Sequence, residues 1–574
     1  MRDKVFIQTP TNWLGIFIKL LALAVLVATT NFGFFDRITL LYAAERWVTF
    51  FFYLAMWGVS LTALIIAAFQ PNQAVRILWA LLLSISASAA FMYTSISGSN
   101  LTVFDALSLW VAKHEASRAM EFYGTSAILA IVVFIASFVI IASPPTPNGR
   151  WLKFGLKWLF WTPAVPVVLM SAVILIKEGG GSQALPSQFQ PMAVSLVAVE
   201  KIFSINTLPR QSVEMVTDRP RAIKNIVMLI DESVRGDYLN WKKANPYTPF
   251  LAANKSKIIN FGMAVSGANC SSYSNAILRL GPVRRDLVTT ANTNPTIWQY
   301  AKRAGYRTVY IDGQSGLVKD PGFLQNFMTV GEVADIDRVV RFAGVANPQL
   351  DYKLLEVIEK ELQSDQPVFI FANKNGAHFP YDKGYPKNQM KFQPTVRQIG
   401  ADNVTTRVNS YLNVLAWAVD RFFGQLFDRI NLKDTTIIYT SDHGQAVYNG
   451  RMTHCSMTNA DPREALVPLL AITQDPALKS RFAKGAVLNS GRASHFLIRS
   501  TVLDLMGYPK PAIAGKYGPS MFTQGPEKPE FSAGDIFGVF RKEPNWFSID
   551  LSANYLEFPT PPLPVPGPVV KVDK

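Results

Sequence analysis

In the second half of the chain, acidic residues and histidines follow short apolar runs of the kind that form β-strands. The runs are NIVMLI, VFIFA and TIIYT, and the polar residues behind them are Asp231, Glu232, Ser233, His378, Asp442, His443 and, a little later, His454. The chain has only 5 histidines, and three of them fall in these segments. Carboxylate and imidazole ligands without thiolates suit zinc, with manganese as the alternative. The pattern therefore predicts a metal site, and such sites commonly activate a nucleophile.

A run of hydroxyl side chains, SGANCSSYSN at 266–275, offers candidate nucleophiles. Ser and Asn also favour helix N-caps, so the same run is typical of a helix start without any chemistry. The two interpretations are compatible, because a hydroxyl at a helix N-terminus lies beside backbone N–H groups that can hold a phosphate.

Alternating strands and helices must place these residues together. The strand-like runs, which include TVYI at 308–311, alternate with helical patterns such as TIWQYAKRAG at 296–305 and LNVLAWAVDRFFGQLF at 412–427. This alternation predicts an α/β sandwich with a mostly parallel sheet. Functional groups of such sheets gather at the carboxyl ends of the strands.

The first third of the chain is different, because it contains long apolar stretches. Five of them are long enough to cross a bilayer, near residues 13–34, 48–69, 76–96, 126–144 and 157–177. The distribution of Lys and Arg around them predicts an inside N-terminus and an outside location for everything after residue 177. Few ionisable residues lie within these stretches, and Lys19 is near an end, which argues against a transporter.

The charge balance is basic, with a net charge of +15 and a pI near 9.5. Such a charge suits either nucleic acid or anionic lipid head groups. Since the sequence has no zinc finger, RNA-binding signature or basic helix, we expect a membrane partner and no nucleic acid.

Composition changes suggest four regions. We expect a transmembrane domain at 1–177, a linker and interfacial segment at 178–219, a catalytic domain at 220–545 and a proline-rich tail at 546–574. Within the second region, Met192 to Ile205 has an apolar face that could lie on a membrane surface.

With these residues in view, the chain resembles the lipid A phosphoethanolamine transferases, membrane-anchored members of the alkaline phosphatase/sulfatase superfamily. The resemblance covers nearly the whole chain. The family's G-E-T-A-R motif corresponds to the run from Asp231 to Arg235, and its S-D-H-G motif is intact from Ser441 to Gly444. The resemblance implies that Glu232, Asp442 and His443 are metal ligands, with one zinc ion or two.

The same resemblance implies roles for the remaining candidates. Ser271 aligns with the family's catalytic threonine and would be both the nucleophile and a metal-bound hydroxyl, with Ser272 as the alternative. His378 and His454 would contact the phosphate or the acceptor, or hold a second metal. Ser315, in a run that resembles a loop near the donor site, would bind substrate.

Two departures from the family bear on these expectations. Gln445 stands where the family has Glu after S-D-H-G, which affects the identity of the donor head group more than the reaction class. The chain has only 2 cysteines, so the family's several disulfides cannot form. Cys270 and Cys455 adjoin Ser271 and His454, so they would either pair or be two small buried residues.

The resemblance implies transfer of phosphoethanolamine from phosphatidylethanolamine to lipid A or lipopolysaccharide core, through a phospho-seryl intermediate. The enzyme would be a monomer in a bacterial inner membrane, crossing it several times, with its catalytic domain in the periplasm. The alternatives are a phosphoglycerol transferase or phosphodiesterase of the same superfamily, and a non-catalytic membrane scaffold. The residues after Cys270 do not fit the C/S-x-P-x-R motif of sulfatases, and the retained candidate ligands argue against a scaffold.

Overall fold

The structure is a computed structural model of the 574-residue chain. It describes residues 12–97, 100–111, 124–144, 150–204, 209–239, 247–314, 326–400, 403–447, 453–456, 460–541 and 543–555. The chain forms two compact units, residues 1–205 and residues 206–574. The division between them falls inside the segment predicted to link the two domains.

The first unit is helical. Its described helices are Trp13–Thr30, Phe34–Ala43, Trp47–Ala68, Gln73–Ser97, Val103–Val111, Gly124–Ala142, Arg150–Trp158, Ala164–Ile176 and Gln190–Ser204. Four of the helices in the described residues are long and apolar enough to cross a membrane, and their bounds are Trp13–Thr30, Trp47–Ala68, Gln73–Ser97 and Gly124–Ala142.

The fifth predicted span is a shorter helix, Ala164–Ile176, of 13 residues. The apolar run at 157–177 does not form one helix because Pro163 interrupts it, and a proline cannot continue a helix that precedes it. Helix Arg150–Trp158 ends before this proline.

The residues after this fifth helix lie beside the C-terminal end of the first helix. The side-chain oxygen of Asn31 accepts a hydrogen bond of 2.7 Å from the backbone N–H of Ser187. The Tyr53 hydroxyl and the Trp57 indole both donate to the backbone oxygen of Ala184. This is the arrangement that an odd number of crossings between residue 13 and residue 177 produces.

Helix Gln190–Ser204 packs on helices Val103–Val111 and Ala164–Ile176 of the first unit. Ala193, Val194 and Val197 are buried against protein, whereas Leu196 and Val199 of the same helix are exposed.

The second unit is built on a seven-stranded sheet with the order β2-β7-β6-β1-β5-β3-β4. The strands are β1 Asn225–Asp231, β2 Ile259–Val265, β3 Arg307–Asp312, β4 Arg338–Arg341, β5 Val368–Asn373, β6 Thr435–Ser441 and β7 Leu466–Thr473. The five strands from β6 to β4 are parallel, whereas β2 and β7 are antiparallel to their neighbours.

Helices cover both faces of this sheet. They are Pro249–Ala253, Ser271–Leu280, Leu287–Thr293, Ile297–Arg303, Val330–Ala334, Asn347–Leu362, Val396–Ile399, Val404–Val414, Phe422–Arg429, Pro476–Leu488, Ile498–Leu505 and Lys510–Tyr517. Alternate residues of β1 enter opposite cores, since Val227 and Leu229 pack in one and Ile226 and Met228 in the other. The predicted α/β sandwich with helical N-terminal spans is confirmed.

A second sheet pairs β8 Glu530–Ala533 with β9 Asn545–Ser548. Folded structure therefore continues past residue 545, where the sequence analysis places the end of the catalytic domain. The run PTPPLPVPGPVV at 559–570 lies outside the described residues.

Candidate active site

The carboxyl ends of β1 and β6 meet at the centre of the sheet and carry the candidate metal ligands. Asp231 of β1 pairs in register with Ser441 of β6, so the next residues, Glu232 and Asp442, leave the sheet side by side. Glu232, Asp442 and His443 are buried, and one ligand atom from each lies within 4.8 Å of the others. Among the described residues, this is the group of acidic and histidine side chains able to hold a metal ion.

The turn after β1 orients both carboxylates. Ser233 has a φ of +61°, a conformation that few non-glycine residues adopt. In that conformation its backbone N–H donates to Oδ1 of Asp442 at 3.1 Å, and its hydroxyl donates to Oε1 of Glu232 at 2.6 Å. One residue therefore fixes two carboxylates from different strands.

The backbone also fixes the ring of His443. Its Nδ1 lies 2.6 Å from the backbone oxygen of Gly444, so Nδ1–H donates there and Nε2 keeps its lone pair for a metal. Gly444 must be glycine, because a Cβ would lie 2.2 Å from the backbone oxygen of Arg463.

The charges of this cluster favour a bound cation. Burial and the carboxylate of Glu232 together raise the pKa of Asp442 well above its ordinary value. Burial lowers the pKa of His443, but the carboxylates of Asp442 and Glu232 outweigh burial and raise it to about 9. Both shifts mean that the metal-free cluster retains protons on its ligand atoms, and a divalent cation would take the place of those protons. The donor set of two oxygens and one nitrogen suits zinc.

The candidate nucleophile lies at the first position of helix Ser271–Leu280. The Oγ atom of Ser271 is 2.9 Å from Nε2 of His443 and 3.3 Å from Oε1 of Glu232. Ser272, the alternative nucleophile, makes no side-chain hydrogen bond to the described residues. The structure therefore brings Ser271, and not Ser272, to the predicted ligands.

The same helix holds Asp442 in place through two further residues. Asn275, one turn after Ser271, donates from Nδ2 to Oδ2 of Asp442 at 3.2 Å and to the backbone oxygen of Ser271 at 3.0 Å. The hydroxyl of Ser274 donates to the backbone oxygen of Asp442 at 2.5 Å. Both contacts join helix Ser271–Leu280 to the turn that carries the candidate metal ligands.

His454 and His378, the two other histidines singled out in the sequence, also lie near the cluster. The rings of His454 and His443 stack with centroids 4.4 Å apart. Burial alone would raise the pKa of Glu232, but His443 and the charge of His378 hold it well below its ordinary value. The Nδ1 atom of His378 lies 2.6 Å from the backbone oxygen of Phe379, so Nδ1–H donates there.

The two cysteines form a disulfide bond between positions 185 residues apart. Cys270 is the residue before helix Ser271–Leu280, and Cys455 follows His454. The backbone N–H of Cys455 also donates to the backbone oxygen of Asn269 at 2.9 Å. The bond therefore attaches the segment of His454 to the start of the nucleophile's helix.

Residues 224–508 match the sulfatase family model. The match spans β1 to the end of helix Ile498–Leu505 and includes every residue described above as part of this site. Residues 224–508, which we call the sulfatase-family domain, are therefore similar to that family.

A solved structure shares the fold over most of this chain. The integral membrane protein lipooligosaccharide phosphoethanolamine transferase A from Neisseria meningitidis superposes with a TM-score of 0.63 and 18% identity, covering 89% of this chain and 99% of that chain. The C-terminal periplasmic domain of the Escherichia coli protein EptC, in complex with zinc, gives a TM-score of 0.47 and 18% identity, covering 61% of this chain and 98% of that chain. No curated protein sequence matches this chain. The family resemblance found in the sequence is confirmed at the level of fold.

Ser315, the predicted donor-site residue, lies outside the described residues. The structure instead brings its neighbour Gln314 into the site of the sulfatase-family domain. The Gln314 amide donates to Oε2 of Glu232 at 2.8 Å and to the backbone oxygen of Lys374 at 3.1 Å. Gln314 lies two residues after β3, and the carboxyl ends of neighbouring parallel strands meet at one edge of the sheet. This position in the sequence was the signal that Gln314 would lie in the site.

A buried ion network beneath the site was absent from the sequence prediction. Lys374 is fully buried and donates from Nζ to Oδ2 of Asp231 at 2.6 Å and to the backbone oxygen of Ala418 at 2.6 Å. The Tyr439 hydroxyl donates to the same Asp231 oxygen at 2.9 Å. Ala418 lies in a π-helical segment, Leu415–Arg421, and such segments often occur beside functional sites.

Asp351 extends this network to the loop of His378. Nζ of Lys374 lies 3.8 Å from the Asp351 carboxylate. The same carboxylate accepts hydrogen bonds from the backbone N–H groups of Asn375 at 2.7 Å and Gly376 at 3.1 Å. Gly376 has a φ of +51°, and a Cβ there would lie 2.1 Å from Oδ1 of Asp231. The loop from Lys374 to His378 is thus closely fitted to the end of β1.

Gln445, the departure from the family motif, is buried behind His443. Neither polar atom of its side-chain amide has a hydrogen-bond partner among the described residues. Unpaired buried amides are costly.

Proposed function

We propose that this chain is a phosphoethanolamine transferase, which moves the head group of phosphatidylethanolamine to a cell-envelope glycolipid such as lipid A or the lipopolysaccharide core. The observation that carries the proposal is the position of Ser271. Its hydroxyl lies within 3.3 Å of two metal-ligand side chains and at the N-terminus of a 10-residue helix. A hydroxyl there can attack phosphorus while the backbone N–H groups of the first turn face the phosphate oxygens.

The metal expected at Glu232, Asp442 and His443 is zinc, as one ion or as two if His378 and His454 hold a second. When bound, zinc would lower the pKa of the Ser271 hydroxyl and balance negative charge on the phosphoryl group. The chain's own part is to hold the ligands rigidly, which Ser233, Asn275 and Gln314 do through the hydrogen bonds described above.

The first step breaks the bond between phosphorus and the glycerol oxygen of the donor. The Ser271 oxygen forms a new bond to phosphorus, the Ser271 proton passes to the departing glycerol oxygen, and diacylglycerol leaves. Phosphoethanolamine then remains as an ester on Ser271. In the second step an acceptor hydroxyl or phosphate oxygen attacks phosphorus, and the Ser271 hydroxyl is restored with the acceptor's proton.

His454 and His378 are suited to contact the phosphate or the acceptor during these steps. Both are partly exposed, whereas the three metal-ligand side chains are buried. The His454 ring also packs directly on the ligand His443.

The donor head group is the least constrained part of the proposal, because Gln445 replaces a carboxylate. A neutral amide attracts the ammonium group of ethanolamine less than a carboxylate does. A phosphoglycerol transferase or a phosphodiesterase would use the same nucleophile and metal ligands, so the head group on Ser271 distinguishes them.

We also propose the cellular location. The helices of the first unit would anchor the enzyme in a bacterial inner membrane, with the sulfatase-family domain in the periplasm and the enzyme acting as a monomer. The Cys270–Cys455 disulfide supports an oxidising compartment for that domain.

Mass spectrometry of the full-length protein tests the reaction. After incubation with phosphatidylethanolamine vesicles, the peptide containing Ser271 should gain one phosphoethanolamine group, and the Ser271→Ala variant should gain none. Ser272→Ala is the matched control and should be modified as the wild type is. A phosphoglycerol group would support the alternative donor, and modification of the Ser271→Ala protein would contradict the proposal.

A further inference from the structure

A groove runs along the membrane unit between the first two long helices. Its volume is about 600 Å3, within the range of about 300–1,000 Å3 typical of ligand sites. One wall comes from helix Trp13–Thr30 and includes Ala24 and Ala28, and the other comes from helix Trp47–Ala68 and includes Leu61 and Ile65.

The walls are apolar and open towards lipid. Ala24 and Ala28 are one turn apart on the same face, and their small side chains create the depth of the groove. Ala24, Ala28, Leu61 and Ile65 are exposed, so the groove faces outward from the helices of the first unit. In a bilayer the molecules that reach such a surface are acyl chains.

The length of the groove matches one leaflet. Its lining on the first helix extends from Leu20 to Asn31, where a helix rises by roughly 16 Å in all. This is about half of the ~30 Å hydrocarbon core of a bilayer. The groove is therefore long enough for a chain that ends at the middle of the membrane, and it does not cross both leaflets.

One end of the groove is polar, with Asn31 and Asp36 in its lining. The Asp36 carboxylate is exposed and has neither an ion pair nor a side-chain hydrogen bond among the described residues. A single free carboxylate at the head-group level is complementary to the primary ammonium group of an ethanolamine lipid.

The polar end is also the end from which the chain continues to the second unit. Asn31 contacts Ser187 and Gln188, which follow the fifth helix. The polar end of the groove therefore lies at the end of the first unit where the fifth helix finishes.

We propose that this groove holds one acyl chain of the donor phospholipid, phosphatidylethanolamine, with its ammonium group near Asp36. The inference rests on the proposed function, because that function identifies the lipid as the donor. The groove selects a lipid donor over a soluble phosphodiester because only the lipid has an acyl chain that can pack along its walls.

The test distinguishes an effect on binding of the acyl chain from an effect on the reaction itself. Formation of the phosphoethanolamine adduct on Ser271 is measured with full-length protein and two donors, phosphatidylethanolamine vesicles and the soluble ester p-nitrophenyl phosphoethanolamine. This first half-reaction needs no acceptor, so an acyl chain of the acceptor cannot affect it. Ala24→Trp and Ala28→Trp fill the groove, and Val25→Trp adds a similar ring on the exposed face of the same helix outside the groove.

We expect the two groove variants to form the adduct from vesicles about ten-fold more slowly or worse, since the indole ring takes the space in which the acyl chain packs, and a ten-fold change corresponds to only about 1.4 kcal/mol of binding. Their rate with the soluble ester should stay near that of the wild type, which also shows that they fold. Val25→Trp should change neither rate. A wild-type rate from vesicles in both groove variants would overturn the proposal, as would an equal loss with both donors.

A binding measurement distinguishes failure of the groove from failure of the proposed function. Native mass spectrometry of the Ser271→Ala protein should show bound phosphatidylethanolamine, and Ala28→Trp in that background should reduce it, with phosphatidylcholine vesicles as the comparison. Retention that depends on Ala28 would support the groove even if the wild type forms no adduct. Equal retention of phosphatidylethanolamine by the Ser271→Ala protein and by its Ala28→Trp derivative would contradict the groove proposal, whether or not the wild type forms the adduct.

Discussion

The imidazole rings of His443 and His454 stack nearly face to face, with centroids 4.4 Å apart and planes inclined by 18°. The two residues reach this position by different routes. His443 follows β6 directly, whereas His454 is attached through its neighbour Cys455 to the start of the nucleophile's helix.

This attachment predicts a specific effect of breaking the disulfide. The Cys270→Ser/Cys455→Ser variant should lose about 10- to 100-fold in transferase activity, the usual effect of removing a residue that orients a site. The metal content should be unchanged, because Glu232, Asp442 and His443 are held by β1 and β6. The free energy of unfolding of the second unit should fall by about 4 kcal/mol, since the bond closes a long loop. Activity assays, metal analysis and calorimetry of full-length protein in detergent measure these effects.

The matched control for that variant is reduction of the wild-type protein with tris(2-carboxyethyl)phosphine, a reductant without thiol ligands for zinc. Reduction should reproduce the loss in the wild type and have no effect on the double variant. Full activity of the double variant would show that His454 is held independently of the disulfide.

The nucleophile should tolerate threonine but not alanine. Ser271→Ala removes the atom that attacks phosphorus, so transfer should fall by at least ~10³-fold. Ser271→Thr keeps the hydroxyl at the first position of the helix and should retain measurable turnover. Steady-state rates with phosphatidylethanolamine vesicles measure both, and a fully active Ser271→Ala protein would remove Ser271 from the mechanism.

Metal removal should abolish activity reversibly. Treatment with a chelator should inactivate the full-length protein, and zinc should restore it, because two buried carboxylates and His443 require a cation. Glu232→Gln should bind zinc about 10- to 100-fold more weakly, a loss typical of disturbed metal sites. Glu356→Gln, a change on the exposed surface, is the control and should bind as the wild type does. Zinc-independent turnover would contradict the assignment.

The buried lysine should be important for stability. Lys374→Met leaves Asp231 unpaired in the core, so the free energy of unfolding should fall by about 3–5 kcal/mol. Adding Asp231→Asn should restore part of this loss, because it removes the unpaired charge. Lys353→Met, which breaks an exposed ion pair with Glu356, should change stability by less than about 1 kcal/mol. Denaturant unfolding of the four proteins provides the comparison.

Acid should destabilise the second unit through His495. This residue is fully buried beside Thr440 and Ser274, and burial lowers its pKa to about 3 from an ordinary value of 6.5. Between pH 6.5 and pH 3 the unfolded chain therefore binds a proton that the folded chain excludes. Stability should fall as pH falls through this window, by up to ~1.4 kcal/mol per pH unit. Calorimetry of the wild type and of His495→Asn measures it, and an equal acid response in both would exclude His495 as the cause.

Much of the second unit could be predicted from sequence because its central strands are continuous apolar runs. NIVMLI, TVYI, VFIFA and TIIYT all became parallel strands, and their bounds changed by a residue or so. Parallel strands are buried on both faces, so their sequences differ clearly from those of helices. The polar residues behind them then converge for geometric reasons alone.

The antiparallel strands were harder to predict. In β2 the pairing with β7 shifts between Asn260 and Met263, where Gly262 has a φ of +80°. In β7, Pro468 interrupts an otherwise regular run. In a sequence, a glycine or a proline at such a position is typical of a loop. Only the pairing with a neighbouring strand shows that these residues belong to strands.

The supporting residues of the site could not be predicted either. Asn275 and Lys374 act through partners more than a hundred residues away in sequence, Asp442 and Asp231 respectively. Helix periodicity places Asn275 on the same face as Ser271, one turn earlier, but it does not identify Asp442 as the partner of Asn275. Nothing in the sequence around Lys374 predicts that it is buried.

The order of the strands has a consequence for how the second unit folds. The central strand β1 is the first to be synthesised, yet it pairs only with β5 and β6, which come much later in the chain. Closing such long loops is slow, and β1 must remain unpaired until most of the domain has been made. NIVMLI is thus an exposed, aggregation-prone segment during synthesis, and chaperone dependence of this enzyme should be traceable to that strand.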